Sequence, residues 1–271
     1  MSSTRIDSSD LVAALYQHLL GRAPDGTAGE KVRRHAEGDI STSDLVREFT
    51  ISDEYRNRIL QTERFTADHS QFGEFELLLK RLCRAACDSP TVVDVGARGR
   101  ARSNSYDLMK QFGWRGVLIE ANPRLISEIH SEFNGLEFSV VECAVSDYEG
   151  TAEFHIGIND DVSSLSRESA GAWGDVKDQV QVKVRRLEPI LLEQGVTFDF
   201  GLLSIDLEGE DVKVFNDLIA GGQYKPRWVI IEASHDFTVT ALAQLPVIPQ
   251  ILQDYRIVGR TLANLILERQ G

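Results

Sequence analysis

The chain has 271 residues, of which 42% are apolar and 26% charged, and its 29 basic residues against 42 acidic ones leave a net charge of −13. That length suits one core of ordinary size plus a smaller appendage, and the apolar share is that of a folded globule. The acidic excess excludes a nucleic-acid partner, which needs Lys and Arg against phosphates, and disfavours an anionic membrane surface; it suits a cationic ligand or a metal held in carboxylates.

No apolar run is long enough to span a bilayer, and the first residues, MSSTRIDSSD, lack the apolar core of a signal peptide, so a cytoplasmic protein is expected. The three cysteines, Cys83, Cys87 and Cys143, then read as reduced thiols, with Cys83 and Cys87 as small buried hydrophobes. Residues 1–60 read as helices alone. In SSDLVAALYQHLL the apolar Leu11, Val12, Leu15, Tyr16 and Leu19 share a helical face behind a Ser9 or Asp10 cap. GRAPDG supplies a turn, a second helix covers 28–36 up to Gly38, and STSDLVREF and SDEYRNRIL open a third and a fourth. A module this small buries little by itself, and a homodimer formed through it is expected. Residues 61–87 read as a polar connector followed by a helix over 74–86.

From residue 88 to the end the pattern becomes strand, loop, helix, repeated. Strands are expected over 91–95, 116–121, 138–144, 200–206 and 227–232, and helices near 104–112, 123–133, 187–194 and 211–220, the second of them capped by Asn122 with Pro123 in its first turn. TAEFHIG and VQVKVRR alternate like an extra edge hairpin, and YRIVGRTLANLILER like two more strands around 260–264. The fold class is therefore α/β, a parallel sheet with helices on both faces, beside a small all-α module.

In such sheets ligands lie beyond the carboxyl ends of the strands. TVVDVGARGR ends the first strand in Asp94 and breaks at Gly96 and Ala97, where the backbone can approach a ligand closely. The spacing fails the dinucleotide pattern G-x-G-x-x-G, and no G-x-x-x-x-G-K-[ST] phosphate loop is present. Glu120 and Ala121 end the second strand, where a carboxylate accepts both ribose hydroxyls, and Glu142 and Ala144 end the third, beside the expected adenine. Two acids and no phosphate loop fit a nucleoside with a cationic tail, S-adenosylmethionine. Asp94 reads alternatively as a cap on the next helix.

VVDVGARGR, GVLIEANP, VVECAVSDYEGTAEF, DVSSLSRES, GLLSIDLEGEDVKVF and RWVIIEA, in that order over residues 88–235, resemble the FkbM family of S-adenosylmethionine-dependent methyltransferases. The resemblance implies a seven-stranded Rossmann-like sheet and O-methylation of a hydroxyl on a sugar, oligosaccharide or glycan, a methylated mannoside or glucoside being the narrower expectation, or on a polyketide. Arg98 stands where the family usually has asparagine. LYQHLLGRAPDGTAGEKV and FTISDEYRNRI resemble a helical module likened to phycobilisome linkers, which implies a glycan or assembly context.

Methyl transfer to a hydroxyl needs a general base or a metal that stabilises the alkoxide. SIDLEGED sets Asp206, Glu208 and Glu210 at the mouth of the fourth strand, and IIEASHD sets Glu232, His235 and Asp236 at the mouth of the fifth. Asp206, Glu208 and Glu232 form an oxygen-rich set suited to Mg²⁺, an arrangement that related sugar methyltransferases use, with His235 and Asp206 as the catalytic pair. Glu208 and Glu210 read alternatively as solvated acids at a helix start. His155, on the alternating strand, reads as an exposed edge residue. Ser163, Ser164 and Trp173 lie in a stretch, 159–175, that reads either as a loop over the substrate or as a connector, and Arg185–Arg186 as a solvated strand end. A methyltransferase-like scaffold without catalysis is the reading from a different class.

Overall fold

Runs of branched apolar residues after Pro90 become strands because such side chains fill a pleated surface that is covered on both faces. The computed structural model describes residues 7–55, 68–82, 87–158, 162–172, 174–232 and 254–270. The chain divides into two compact units, Met1–Ala67 with Arg81–Ala86, and Asp68–Lys80 with Cys87–Gly271.

In the first unit, helices Ser8–Leu15, Ala28–Ala36 and Thr42–Thr50 enclose Val12, Tyr16, Ala28, Leu45 and Phe49, with Tyr16 and Phe49 meeting edge to face at 5.0 Å. Asp7, rather than Ser9 or Asp10, caps the first helix, which ends in a wider π turn over Tyr16–Leu20. The GRAPDG turn closes on Asp25, whose Oδ1 accepts from the Thr27 amide at 2.8 Å and from the Tyr16 hydroxyl at 3.0 Å. The fourth expected helix lies largely outside the described residues.

The second unit holds β1 (Thr91–Val95), β2 (Arg115–Glu120), β3 (Phe138–Glu142), β4 (Ala144–Val145), β5 (Gly150–Gly157), β6 (Val176–Arg185), β7 (Leu202–Ile205), β8 (Trp228–Glu232), β9 (Tyr255–Arg260) and β10 (Asn264–Arg269). Seven of them form one sheet in the order β3-β2-β1-β7-β8-β10-β9. The pairs from β3 to β8 are parallel, and β10 runs antiparallel to both its neighbours. Helices Leu187–Glu193 and Asp211–Ala220 bury one face against Val93, Val117, Leu203 and Val229. Helix Tyr106–Phe112 covers the other face, with Met109 so close over Gly116 that a Cβ there would meet its sulfur at 2.6 Å. Among the described residues no helix is long and apolar enough to cross a membrane.

Four sequence expectations are corrected. The hairpin β5–β6 is not an edge of the main sheet: it joins β4 in a separate three-stranded sheet, because the run 138–144 breaks at Cys143 and β4 pairs with β6. The expected helix from 123 begins only at Ile126, since Asn122 Oδ1 accepts from the Arg124 amide at 3.1 Å and closes a turn first. His155 is buried, not exposed, because its strand backbone pairs with Ser164 and its Nδ1 meets Gln179 Nε2 at 3.2 Å. Arg185 and Arg186 are paired rather than merely solvated, with Glu193 at 2.7 Å and Asp217 at 2.6 Å.

The segment before the sheet is tied at two points. The His69 amide donates to Asp107 Oδ2 at 2.8 Å, and its ring Nδ1 lies 3.0 Å from Asp107 Oδ1. Glu74, fully buried at the start of helix Glu74–Leu82, accepts from Thr261 Oγ1 at 2.6 Å, Asn264 Nδ2 at 2.9 Å and the Phe72 amide at 2.9 Å.

The tightest approach lies where β1 meets β7. Past the strand ends the Asp206 amide still donates to Val95 O at 2.9 Å, while Gly96 turns to φ +82 and donates to Ile119 O on β2 at 2.9 Å. A Cβ on Gly96 would sit 1.8 Å from the Asp206 carbonyl oxygen. Left-handed strain and this backbone overlap add in Gly96→Ala, which should lose about 3 kcal/mol. Thermal denaturation is expected to show a midpoint about 6–12 °C lower; a variant melting with the wild type would show that the two strand ends are not held together this closely.

Candidate active site

A cleft of about 1000 Å³, counting the space that opens to solvent, lies beyond the carboxyl ends of β1, β2 and β7. It straddles the point where the strand order reverses, since β1 has β2 on one side and β7 on the other. A parallel strand that ends there delivers its last polar residue to the rim, which is why three strands in turn contribute an acid.

Asp94 is buried in β1 opposite Ser204 of β7. Its Oδ2 accepts the Ser105 hydroxyl at 2.6 Å, and Ser103 holds the same turn by accepting the Tyr106 amide at 3.0 Å. Burial pushes the Asp94 carboxyl above its ordinary range, against the hydroxyls of Ser105 and Ser204. Asn104 Nδ2 donates to Ser204 Oγ at 3.2 Å, but its Oδ1 is buried in the cleft wall with no hydrogen-bond partner among the described residues. Such an orphan acceptor is unfavourable until a donor arrives.

Glu120 closes β2, the neighbouring strand. Its carboxylate accepts the Asn122 amide at 2.5 Å, yet burial pushes its pKa up to about 8, opposed by the Asn122 and Ala121 amides and by the nearby Arg98 guanidinium. Ala121, Leu125, Cys143, Ala144 and Phe154 continue this end as an apolar slot, in which burial pushes the Cys143 thiol up to about 12.

Beside the cleft, ligand atoms of Asp206, Asp211 and Glu232 all lie within 4.8 Å of one another. Asp211 accepts the Leu207 amide at 2.8 Å and the Gly209 amide at 3.0 Å, which folds the first turn of its helix back toward β7. Burial raises both Asp206 and Asp211, followed at Asp206 by repulsion from Asp211 and at Asp211 by repulsion from Glu232. Burial and Asp206 push Glu232 to about 7, and burial followed by Glu232, Asp206 and Asp211 pushes Glu208 to about 8. Four acids raised together either share protons or accept a cation.

The structure brings Asp94, Gly96, Glu120, Ala121, Ala144, Ser163, Asp206 and Glu208 to the cleft. Ala97 is buried beneath it with its amide donated to Ile119 O at 2.9 Å, and Glu142 is exposed on the outer strand β3. Ser164 turns away, donating its hydroxyl to Glu208 O at 3.0 Å. Glu208 stands beside the acidic trio rather than within it, and Asp211 takes the place expected for it. His235 and Trp173 lie outside the described residues. Sequence reasoning missed Gln71, Arg102, Asn104, Cys143 and Asp211; only Asp211 carried a signal, as an acid opening a helix behind SIDLEGE.

Folded, Glu120 keeps its proton until about pH 8; unfolded, it loses it near the ordinary 4.5. Between these values the folded state binds the extra proton, so stability falls as pH rises through the window. Melting curves from pH 5 to 8.5 should show that fall, with a shallower slope in Glu120→Gln. Equal slopes would place the lost protons elsewhere.

Residues 94–256, well over half of the chain, match the model of the Methyltransferase FkbM domain. No curated protein matches the sequence. Likenesses among solved structures are distant. MtNAS in complex with MTA and tNA is 12% identical with a TM-score of 0.36, over 97% of this chain and 71% of that one. The METTL16 MTase domain gives the same identity and score over 97% and 79%, and a TehB-like SAM-dependent methyltransferase from Corynebacterium glutamicum gives 12% and 0.35 over 80% and 97%. At these scores the structural likenesses carry no argument, and the sequence match decides: the chain belongs to the FkbM family of methyltransferases.

Proposed function

We propose that the cleft holds S-adenosylmethionine and directs its methyl group to a hydroxyl of a sugar, oligosaccharide or glycan. The observation that carries this reading is the buried Asn104 Oδ1, without a hydrogen-bond partner among the described residues, on a side chain that shares Ser204 with Asp94. A dinucleotide would bring phosphates to that spot, where acids repel them; an ammonium group brings donors to an atom that lacks one. Asp94 and Asn104 then receive the cofactor's amino group, Glu120 accepts the ribose hydroxyls, and the slot lined by Ala121, Cys143 and Ala144 takes the adenine. When bound, the sulfonium supplies the methyl group.

The acceptor belongs on the opposite wall. Asp206, Glu208 and Glu210 line it together with Ser163, a set of oxygens that accept from sugar hydroxyls. Asp206, Asp211 and Glu232 offer hard carboxylate oxygens of the kind Mg²⁺ takes. A divalent ion held there would place positive charge beside the acceptor hydroxyl and ease loss of its proton. Asp206 orients that hydroxyl, and His235, three residues past β8 in the sequence, takes the proton.

Calorimetry with S-adenosylhomocysteine tests the cofactor. Binding is expected in the wild type, about 10- to 100-fold weaker in Glu120→Ala and about 3- to 10-fold weaker in Asn104→Ala; no heat at millimolar ligand would end this reading. A panel of mannosides, glucosides and a macrolide then sorts the acceptor. Millimolar Mg²⁺ should raise the melting temperature of the wild type but not of Asp211→Asn, because a ligand that binds only the folded state stabilises it. A wild type indifferent to Mg²⁺ would remove the metal.

A further inference from the structure

Residues 162–170 meet the cleft in two ways. Ser163 and Leu165 line it, while Ser164, between them, is buried behind the wall, the alternation that an extended stretch imposes. The backbone of Ser164 is fixed, since its amide donates to His155 O at 3.0 Å and its carbonyl accepts the His155 amide at 2.9 Å. Its hydroxyl is fixed as well. Oγ accepts the Ser166 amide at 3.0 Å, and its one hydrogen goes to the Glu208 carbonyl at 3.0 Å.

Glu208 lines the cleft from a strained backbone. Its φ is +51, a left-handed conformation that disfavours any residue with a Cβ. Gly209 follows at φ +115, and a Cβ there would come within 3.2 Å of Ser169 Oγ. The turn after β7 is therefore pressed against the segment that carries Ser164, and Ser164 grips the strained residue itself. Glu232 and Asp206 also repel the Glu208 carboxylate. A backbone relaxed to a right-handed φ would swing the Cα–Cβ bond, and the carboxyl on it, to a different heading.

We infer that Ser164 is a positioning residue: its hydroxyl holds Glu208 in the left-handed turn that presents the carboxylate to a hydroxyl of the methyl acceptor. This rests on the proposed acceptor wall of Asp206, Glu208, Glu210 and Ser163. Ser164 touches neither cofactor nor acceptor; it acts through the residue it holds. An acceptor with a hydroxyl at that spot donates to a carboxylate already in place. One lacking it leaves a half-buried acid unpaired and is bound less well.

The experiment measures kcat and KM with whichever mannoside, glucoside or macrolide the full-length protein methylates best, and S-adenosylhomocysteine binding by calorimetry. Ser164→Ala is expected to raise the acceptor KM about 5- to 30-fold, with kcat within about 3-fold and S-adenosylhomocysteine affinity within about 2-fold. Ser164→Cys, close in volume with a weaker donor, should fall between, and it carries the same comparison if the alanine variant does not fold. Glu208→Gly accepts the left-handed turn and removes the carboxylate. Its KM should rise at least as far, and adding Ser164→Ala to it should change KM by less than about 2-fold. An unchanged KM in the Ser164 variants would overturn the inference. So would a full further loss in the Glu208→Gly background, or cofactor affinity falling in step with KM, since either would mean that Ser164 merely supports the fold. Those results leave the acceptor reading standing. A protein that binds S-adenosylhomocysteine yet methylates no member of the panel would overturn that reading, and the inference with it.

Discussion

The site depends on one backbone contact, the passage of the Asp206 carbonyl over Gly96. No side chain fits between them, and both strand ends are pinned there by amides donated to Val95 and Ile119. Because β1 is flanked by β2 and β7, one crossing brings the ends of three parallel strands to a common rim. Asp94, Glu120 and Asp206 are neighbours for that reason, though 26 and 86 residues of chain separate the successive pairs. A side chain at residue 96 would push β7 away and dissolve the arrangement from which the cleft is made.

Convergence of this kind is electrostatically unfavourable. Burial raises Asp94, Glu120, Asp206, Glu208, Asp211 and Glu232, and repulsion adds to it at Asp206, Glu208, Asp211 and Glu232. Backbone amides offset part of this at Glu120 and Asp211, and hydroxyls at Asp94. What remains is an acidic cleft whose described lining includes two guanidinium groups, those of Arg98 and Arg102. A cationic nucleoside relieves it, and so does a divalent ion. The negative balance of the whole chain points the same way.

The sheet was legible because each parallel strand is a short apolar run that ends in a polar residue, and a strand's last residue must lie at the rim. Asp94, Glu120 and Asp206 could therefore be placed from sequence. Asp211 could not, because it reaches Asp206 only through a helical turn whose geometry depends on amides of Leu207 and Gly209. Arg102 and Asn104 were hidden for a related reason: a left-handed residue in a turn leaves no periodic signal. The alternation of β5 and β6 correctly announced a hairpin but not its sheet, which was decided by the break at Cys143. Ser164 looked available for substrate until its hydroxyl met the Glu208 carbonyl, a contact across 44 residues that local pattern cannot encode.

Glu74 has a consequence for the order in which the protein is assembled. It is an uncharged-partner carboxylate, satisfied by donors 187 and 190 residues further along, in the turn between the last two strands. The segment carrying Gln71 is thus latched by material that leaves the ribosome nearly 190 residues after it. Until that turn emerges, the nascent domain has its switch point but an unfastened outer wall, so the cleft is closed off only after all the strands of the parallel sheet have been laid down.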